Sequence, residues 1–276
     1  SGTAYFFATM FFIVDTYFAG TISTEAQAAL SISFPVYFIL ISVMQGLSVG
    51  AQTLIANSLG EGNDEKARRL IIQSLYFGCI FSFIVSLAGY FWAHHLLYLL
   101  GAKGVVAEYA AEYISLTFLF SIFAIINHVL NGVLMSYGIA KPFRNWLIIG
   151  FLLHLIFDPW FINGGGGIPP MGFQGIVYSI VLTTFVGIFY MSYCLFRRGL
   201  IHGMHIKDYT FSFSAFLELG KQSIPASLNL FCIAIGLFIT TGFVFQYGKE
   251  AAAAYGIGMR VQQLFLLPTI DRKSVV

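Results

Sequence analysis

From Leu70 to Leu100 the chain contains no Asp, Glu, Lys or Arg, and apolar residues occupy nearly every face a helix there would have. About 20 such residues suffice to cross the hydrocarbon of a bilayer as a helix. Seven further apolar runs follow the same pattern, at roughly 1–20, 28–55, 107–137, 145–163, 175–196, 223–246 and 251–270. Strands of a membrane barrel would alternate over about 10 residues; these runs do not alternate. Helices, which satisfy their backbone polar groups internally, are the remaining solution. Composition agrees: the chain is 58% hydrophobic and 9% charged, where a soluble chain has roughly 45–50% and about 25%. That excludes a soluble enzyme on a single anchor, a disordered chain and a nucleic-acid binder. The fold class is therefore all-α, a polytopic membrane protein. Cys79, Cys194 and Cys232 all lie within apolar runs without framework spacing, so they read as free thiols, with no disulfide and no metal site.

Turn residues separate the runs: Gly60 to Asp64, Gly101 to Gly104, Lys141-Pro142, Gly164 to Gly167 with Pro169-Pro170, and Gly248 to Glu250. The loops after the second, fourth and sixth runs carry nine basic residues: Lys66, Arg68, Arg69, Lys141, Arg144, Arg197, Arg198, Lys207 and Lys221. The opposite loops carry two, Lys103 and Lys249. The positive-inside rule then puts the even-numbered loops and the N-terminus in the cytoplasm, and the protein in the cell (inner) membrane.

The segment from Glu25 to Leu30, leading into the second run, recurs as Glu250 to Tyr255, 225 residues later and leading into the eighth. Chance similarity between Ala-rich helix starts is one reading; a parallel repeat of six spans, as found in transporters, is the other. The repeat divides the chain into a six-helix lobe at 1–200, a cytoplasmic linker at 201–222 and the first two helices of a second lobe at 223–270. About four further spans would complete that lobe. The chain starts without Met, so the first helix is expected to be clipped. Residues 271–276 resemble a translated sequencing adapter and are expected to be a non-native tail.

An acid at the centre of a membrane helix costs at least ~2.5–3.5 kcal/mol, so intramembrane ionisable groups are functional candidates. Asp15 and Asp158 each lie about five residues, or roughly 8 Å, from the outer end of a span. Equal depth lets two helices bring their carboxylates into one cavity. His154 lies one turn deeper than Asp158 on the same face. Pro159 leaves the Leu155 carbonyl without its helical donor and favours a bend beside the acid. The plainer alternatives are helix-capping or paired acids near the headgroups and a satisfied core histidine. Cavity-lining candidates are Gln45 and Gln52 in the second span, Thr183 in the sixth and Asn229 in the seventh. Packing is the competing role for the Ser and Gly residues around them. Pro35 and Pro225 are expected to bend spans two and seven. Arg260 in the eighth span has no assigned role.

The chain resembles the multidrug and toxic compound extrusion (MATE) transporters along its length, apart from residues 271–276. The matching stretches are Val14 to Gly20, Gly46 to Gly50, Leu59 to Asn63, Asp158-Pro159, Gly172 to Gly175, Ile224-Pro225 and Ala254 to Ile257. The resemblance implies two six-helix lobes around a central cavity, and export of small organic cations in exchange for protons or sodium. It implies no cofactor, no catalytic residue, no nucleic acid and no obligate protein partner besides the bilayer. Asp15 and Asp158 match the first- and fifth-helix acids of the coupling site in the DinF-like branch. His154 stands where that branch has Asn, and Ile180 where it has a sixth-helix Thr, which leaves Ser179 as the substitute hydroxyl. Residues 229–233 hold no acid, unlike the branch that uses one in the seventh helix.

A lipid-linked oligosaccharide flippase of the same superfamily is the alternative, but the first six spans lack the basic residues that a pyrophosphate would need. A membrane enzyme has less support. The six histidines are scattered and His-x-x-x-His does not occur; Gly46 to Gly50 spells Gly-x-Ser-x-Gly, but inside an apolar helical run and not at the strand-to-helix turn of a nucleophile elbow.

Overall fold

The computed structural model describes residues 2–200, 209–248, 250, 251, 253–259 and 261, with the side chains of all but 2–5 and 8. Arg260 and the terminal hexapeptide lie outside the described residues, as do 201–208 of the expected linker. Eight helices are named: α1 (Gly2–Ile22), α2 (Thr24–Gly60), α3 (Asp64–Leu99), α4 (Gly104–Leu119), α5 (Ser121–Ser136), α6 (Lys141–Asn163), α7 (Gln174–Arg197) and α8 (Phe213–Phe245). Apart from one isolated bridge, Gly165 to Ile168, the described residues hold no β-structure. Five helices are long and apolar enough to cross a membrane, or six if α4 and α5 form one span. The fold is the all-α polytopic bundle expected.

Local sequence chemistry explains the helix starts. Ser23, Asn63 and Ser212 accept from Ala26 N–H at 3.0 Å, Lys66 N–H at 3.0 Å and Ala215 N–H at 3.4 Å. Such side chains satisfy donors that the first turn leaves open. The Ser212 cap starts α8 ten residues before the expected span at 223, so the second half of the expected linker is helix. The chain just ahead of it is tied to α3. Gln73 donates through Nε2 to Thr210 O at 2.9 Å and accepts at Oε1 from Ser212 N–H at 2.9 Å. Tyr76 O–H donates to Tyr209 O at 3.1 Å.

The fourth span breaks by 51° between α4 and α5, at Phe120. Neither Pro nor Gly sits there. Thr117 turns its hydroxyl back onto Tyr113 O at 2.6 Å, a bond of the kind that bends helices. Phe123 N–H then bonds Phe120 O, and Leu119 O instead accepts the hydroxyl of Ser86 on α3 at 3.2 Å. A neighbouring helix thus satisfies what the bend frees, as hydrocarbon requires. The three helices that hold an internal proline behave differently: α2, α6 and α8 run through Pro35, Pro159 and Pro225 without ending.

The seam between α2 and α8 is set by small residues. A Cβ on Gly46 would overlap the Ser227 hydroxyl and fall 2.8 Å from Ser223 O; one on Gly50 would overlap the Ser223 side chain. Lipid tails are as apolar as leucine, so close backbone approach has to supply the attraction. We predict that Gly46→Ala lowers the thermal unfolding midpoint in detergent, because backbone as well as a side chain must move. Gly236→Ala, which would meet nothing within 4 Å, should leave the midpoint unchanged or raise it, by at most about 1 kcal/mol of helix propensity. Equal effects would show that this seam does not limit stability.

Candidate functional site

The helical repeat puts His154 and Asp158 on one face of α6, and α1 packs against α6 so that Asp15 meets them. His154 Nδ1 lies 3.1 Å from Asp15 Oδ1 and 3.5 Å from Asp158 Oδ1. The three residues are 3%, 2% and 0% exposed in the order Asp15, His154, Asp158, so the cluster is buried. Neither oxygen of Asp158 has a hydrogen-bond donor. Phe11 stands edge-on to the imidazole, with ring centroids 4.8 Å apart at 86°. Gly150, one turn below His154, lets Phe11 close in from one side and Thr183 of α7 from the other. Each of the three ionisable side chains can offer one ligand atom to a cation, and those atoms lie within 4.8 Å of one another.

Two members of the cluster line a cavity of ≈ 420 Å³ walled by α1, α2 and α4 to α7. That volume is within the usual range for a small-molecule site, roughly 300–1,000 Å³. Asp15 and His154 line the cavity; Asp158 lies behind them. The cavity also reaches Met135 and Ala140, at the junction of α5 and α6. Phe11, Phe12, Tyr37, Phe143 and Trp146 make much of the wall aromatic, and no Lys or Arg lines it among the described residues.

Of the residues singled out from sequence, Gln45, Gln52 and Thr183 line the cavity, as does Ile180. Ser179 is buried, its hydroxyl without a partner, and stands outside the wall. Asn229 does not line the cavity: it is exposed on α8. Ser223 and Ser227 are the residues that α8 turns to α2, and a residue two beyond Ser227 lies about 200° around the helix from it. Sequence reasoning missed Asn127, His128 and Asn131 on α5, all in the wall. The signal was present, because three polar residues interrupt an apolar run and Asn127 and Asn131 are one turn apart. Asn127 donates to Thr184 O at 3.3 Å. Asn127 Oδ1, Asn131 Oδ1 and Trp146 Nε1 have no protein partner, so they are available to a ligand.

The MatE family model matches residues 1–160, more than half of the chain. The chain belongs to the MatE family. It is 26% identical over 274 residues to the "Probable multidrug resistance protein NorM" of Thermotoga maritima, covering 94% of this chain and 56% of that protein. The "Probable multidrug resistance protein YoeA" of Bacillus subtilis is 24% identical over 258 residues, covering 91% and 55%. The "FAD transporter" of Shewanella oneidensis is 24% identical over 264 residues, covering 96% and 58%. This MatE chain therefore spans about half the length of the curated relatives it matches. Among solved structures, an outward-facing multidrug resistance MATE family transporter superposes with a TM-score of 0.83 at 24% identity, covering 98% of this chain and 59% of that one. An inward-facing one gives 0.82 at 24% identity, covering 97% and 59%. These likenesses show the fold.

A water-filled cavity and a lipid-facing wall differ in how they treat a thiol, because the reactive thiolate needs water. With Cys79, Cys194 and Cys232 replaced by Ser, Gln45→Cys in membranes should react with a water-soluble maleimide. Phe189→Cys, on the exposed outer face of α7, should not. Equal labelling of the two would show that the cavity is dry or the α7 face is wet.

Proposed function

We propose that the protein is the first half of a secondary antiporter that exports organic cations or drugs in exchange for protons (or sodium). It would lie in the cell membrane with its N-terminus in the cytoplasm, and would use no cofactor and no covalent chemistry. The observation that carries this reading is the buried Asp15–His154–Asp158 cluster beside an aromatic cavity that Asp15 and His154 line. Carboxylates attract a cation there, and the rings of Phe11, Phe12 and Tyr37 offer faces for cation–π contact. The same wall argues against anionic cargo. Neither a lipid-linked pyrophosphate nor a flavin dinucleotide, the cargo named for the Shewanella relative, would find a Lys or Arg in the described wall.

Coupling follows from charge. A proton that neutralises the cluster removes the counter-charge a bound cation relies on, so the two occupants oppose each other. By linkage, the factor that protonation takes from drug affinity is the factor that the drug takes from proton affinity. The test uses the complete parent protein in proteoliposomes, with one side acidified and a fluorescent organic cation followed. Asp15→Asn should abolish proton-driven efflux while expression stays normal. Cation affinity should rise with pH between about pH 5 and 8, the window in which imidazole chemistry operates, and become flat in Asp158→Asn. An unchanged slope in that variant would place coupling outside this cluster.

A further inference from the structure

We infer that His154 makes this site selective for protons by holding, with its ring nitrogen, the position between Asp15 and Asp158 that a sodium ion would need. The inference rests on the coupling role just proposed and deepens it by naming the ion. The geometry gives that place to nitrogen. Nδ1 faces both acids, at 3.1 Å and 3.5 Å, and it is the group nearest to an otherwise donor-less Asp158.

The ring is not free to swing aside for an ion. His154 is 2% exposed and Phe11 packs edge-on against it. A hard cation such as sodium is held by a shell of oxygen atoms, while imidazole suits transition metals instead. With His154 in place, the oxygens within the cluster are those of the two acids; on α7 the hydroxyls of Ser179 and Thr183 are also buried and unpartnered. An amide at position 154 would add an oxygen.

The neighbouring elements bring no Lys or Arg to the cavity among the described residues. Tyr37 on α2, Tyr113 on α4 and His128 on α5 are the other titratable side chains that line the cavity. None of them is a permanent cation. Asp158 lies behind the cavity wall while Asp15 and His154 reach it. A proton from the cavity therefore meets His154 or Asp15 first, and His154 is the side chain that bridges the two acids. The exchange balances simply. One proton adds to the neutral ring to give imidazolium, and the same proton leaves when the ring gives it up.

The deciding experiment reads ion binding rather than transport. The purified chain in detergent is unfolded thermally in sodium chloride and in an equal concentration of potassium chloride, and sodium-23 NMR linewidths are recorded in parallel. In the wild type the two salts should give the same midpoint, with no protein-induced broadening. In His154→Asn, sodium should raise the midpoint by a few degrees over potassium, as an ion that binds only the folded state must. Broadening should appear with it, and both should vanish in His154→Asn/Asp158→Asn. A sodium-specific shift in the wild type would overturn the inference, and so would a folded His154→Asn that ignores sodium. If His154→Asn does not fold, His154→Gln carries the same test with the same outcomes. Loss of proton-driven efflux in the wild-type parent would sink the transport reading alone and leave this binding result standing.

Discussion

Hydrocarbon gives no reward for bringing two apolar surfaces together, so this bundle depends on how closely its backbones can approach. Helix α2 is where that constraint is met. Gly46 and Gly50 admit the serines of α8, and on its other side Gly132 of α5 sits against Ser48. A methyl group at any of these three positions would overlap its neighbour. Through these contacts α2 holds α5 and α8 in place, and α5 in turn supplies one wall of the cavity. Elsewhere the same device recurs singly, as where Gly89 of α3 makes room for Phe118 beside the bend in the fourth span.

Polar groups follow a second form of the same constraint. Many serine and threonine hydroxyls in the bundle return to a carbonyl on their own helix, as Ser31, Ser74 and Thr184 do. Such groups need nothing further. Most of the exceptions gather around one volume, while Ser33, Ser121 and Ser223 do not line it. Asn127, Asn131 and Trp146 leave polar atoms unpaired at the cavity wall, and Ser179, Thr183 and Asp158 do so nearby on α6 and α7. A buried polar group without a partner is costly in low dielectric, and here the cost is concentrated where a ligand or ion can relieve it.

Much of the architecture was legible in sequence, because a membrane span announces itself by length and by missing charge. The run from Leu70 to Leu100 became α3 almost unchanged. The break at Phe120 was not legible, since it depends on Thr117 turning inward and on Ser86 waiting on another helix. The start of α8 was misplaced because the apolar run from 223 hides a cap at Ser212. Of the cluster, the depth and shared face of Asp15, His154 and Asp158 could be read from spacing. That the imidazole stands between the acids could not, since it depends on how α1 seats on α6. Asn229 failed for the converse reason: depth alone says nothing about which way a side chain points.

The tie between Gln73 and the chain ahead of α8 bears on mechanics. Both ends of one amide side chain grip the backbone on either side of Phe211, and Tyr76 holds the residue before them. The first turns of α8 therefore share the frame of α3, and a linker tethered at its exit cannot act as a loose string between two bodies. If the outer part of α8 swings, the compliance has to lie farther along the helix, where Pro225 has already removed a rung of the hydrogen-bond ladder. The bundle would then work as a lever with its fulcrum inside a helix, and its stroke would be set by the length of α8 beyond that proline.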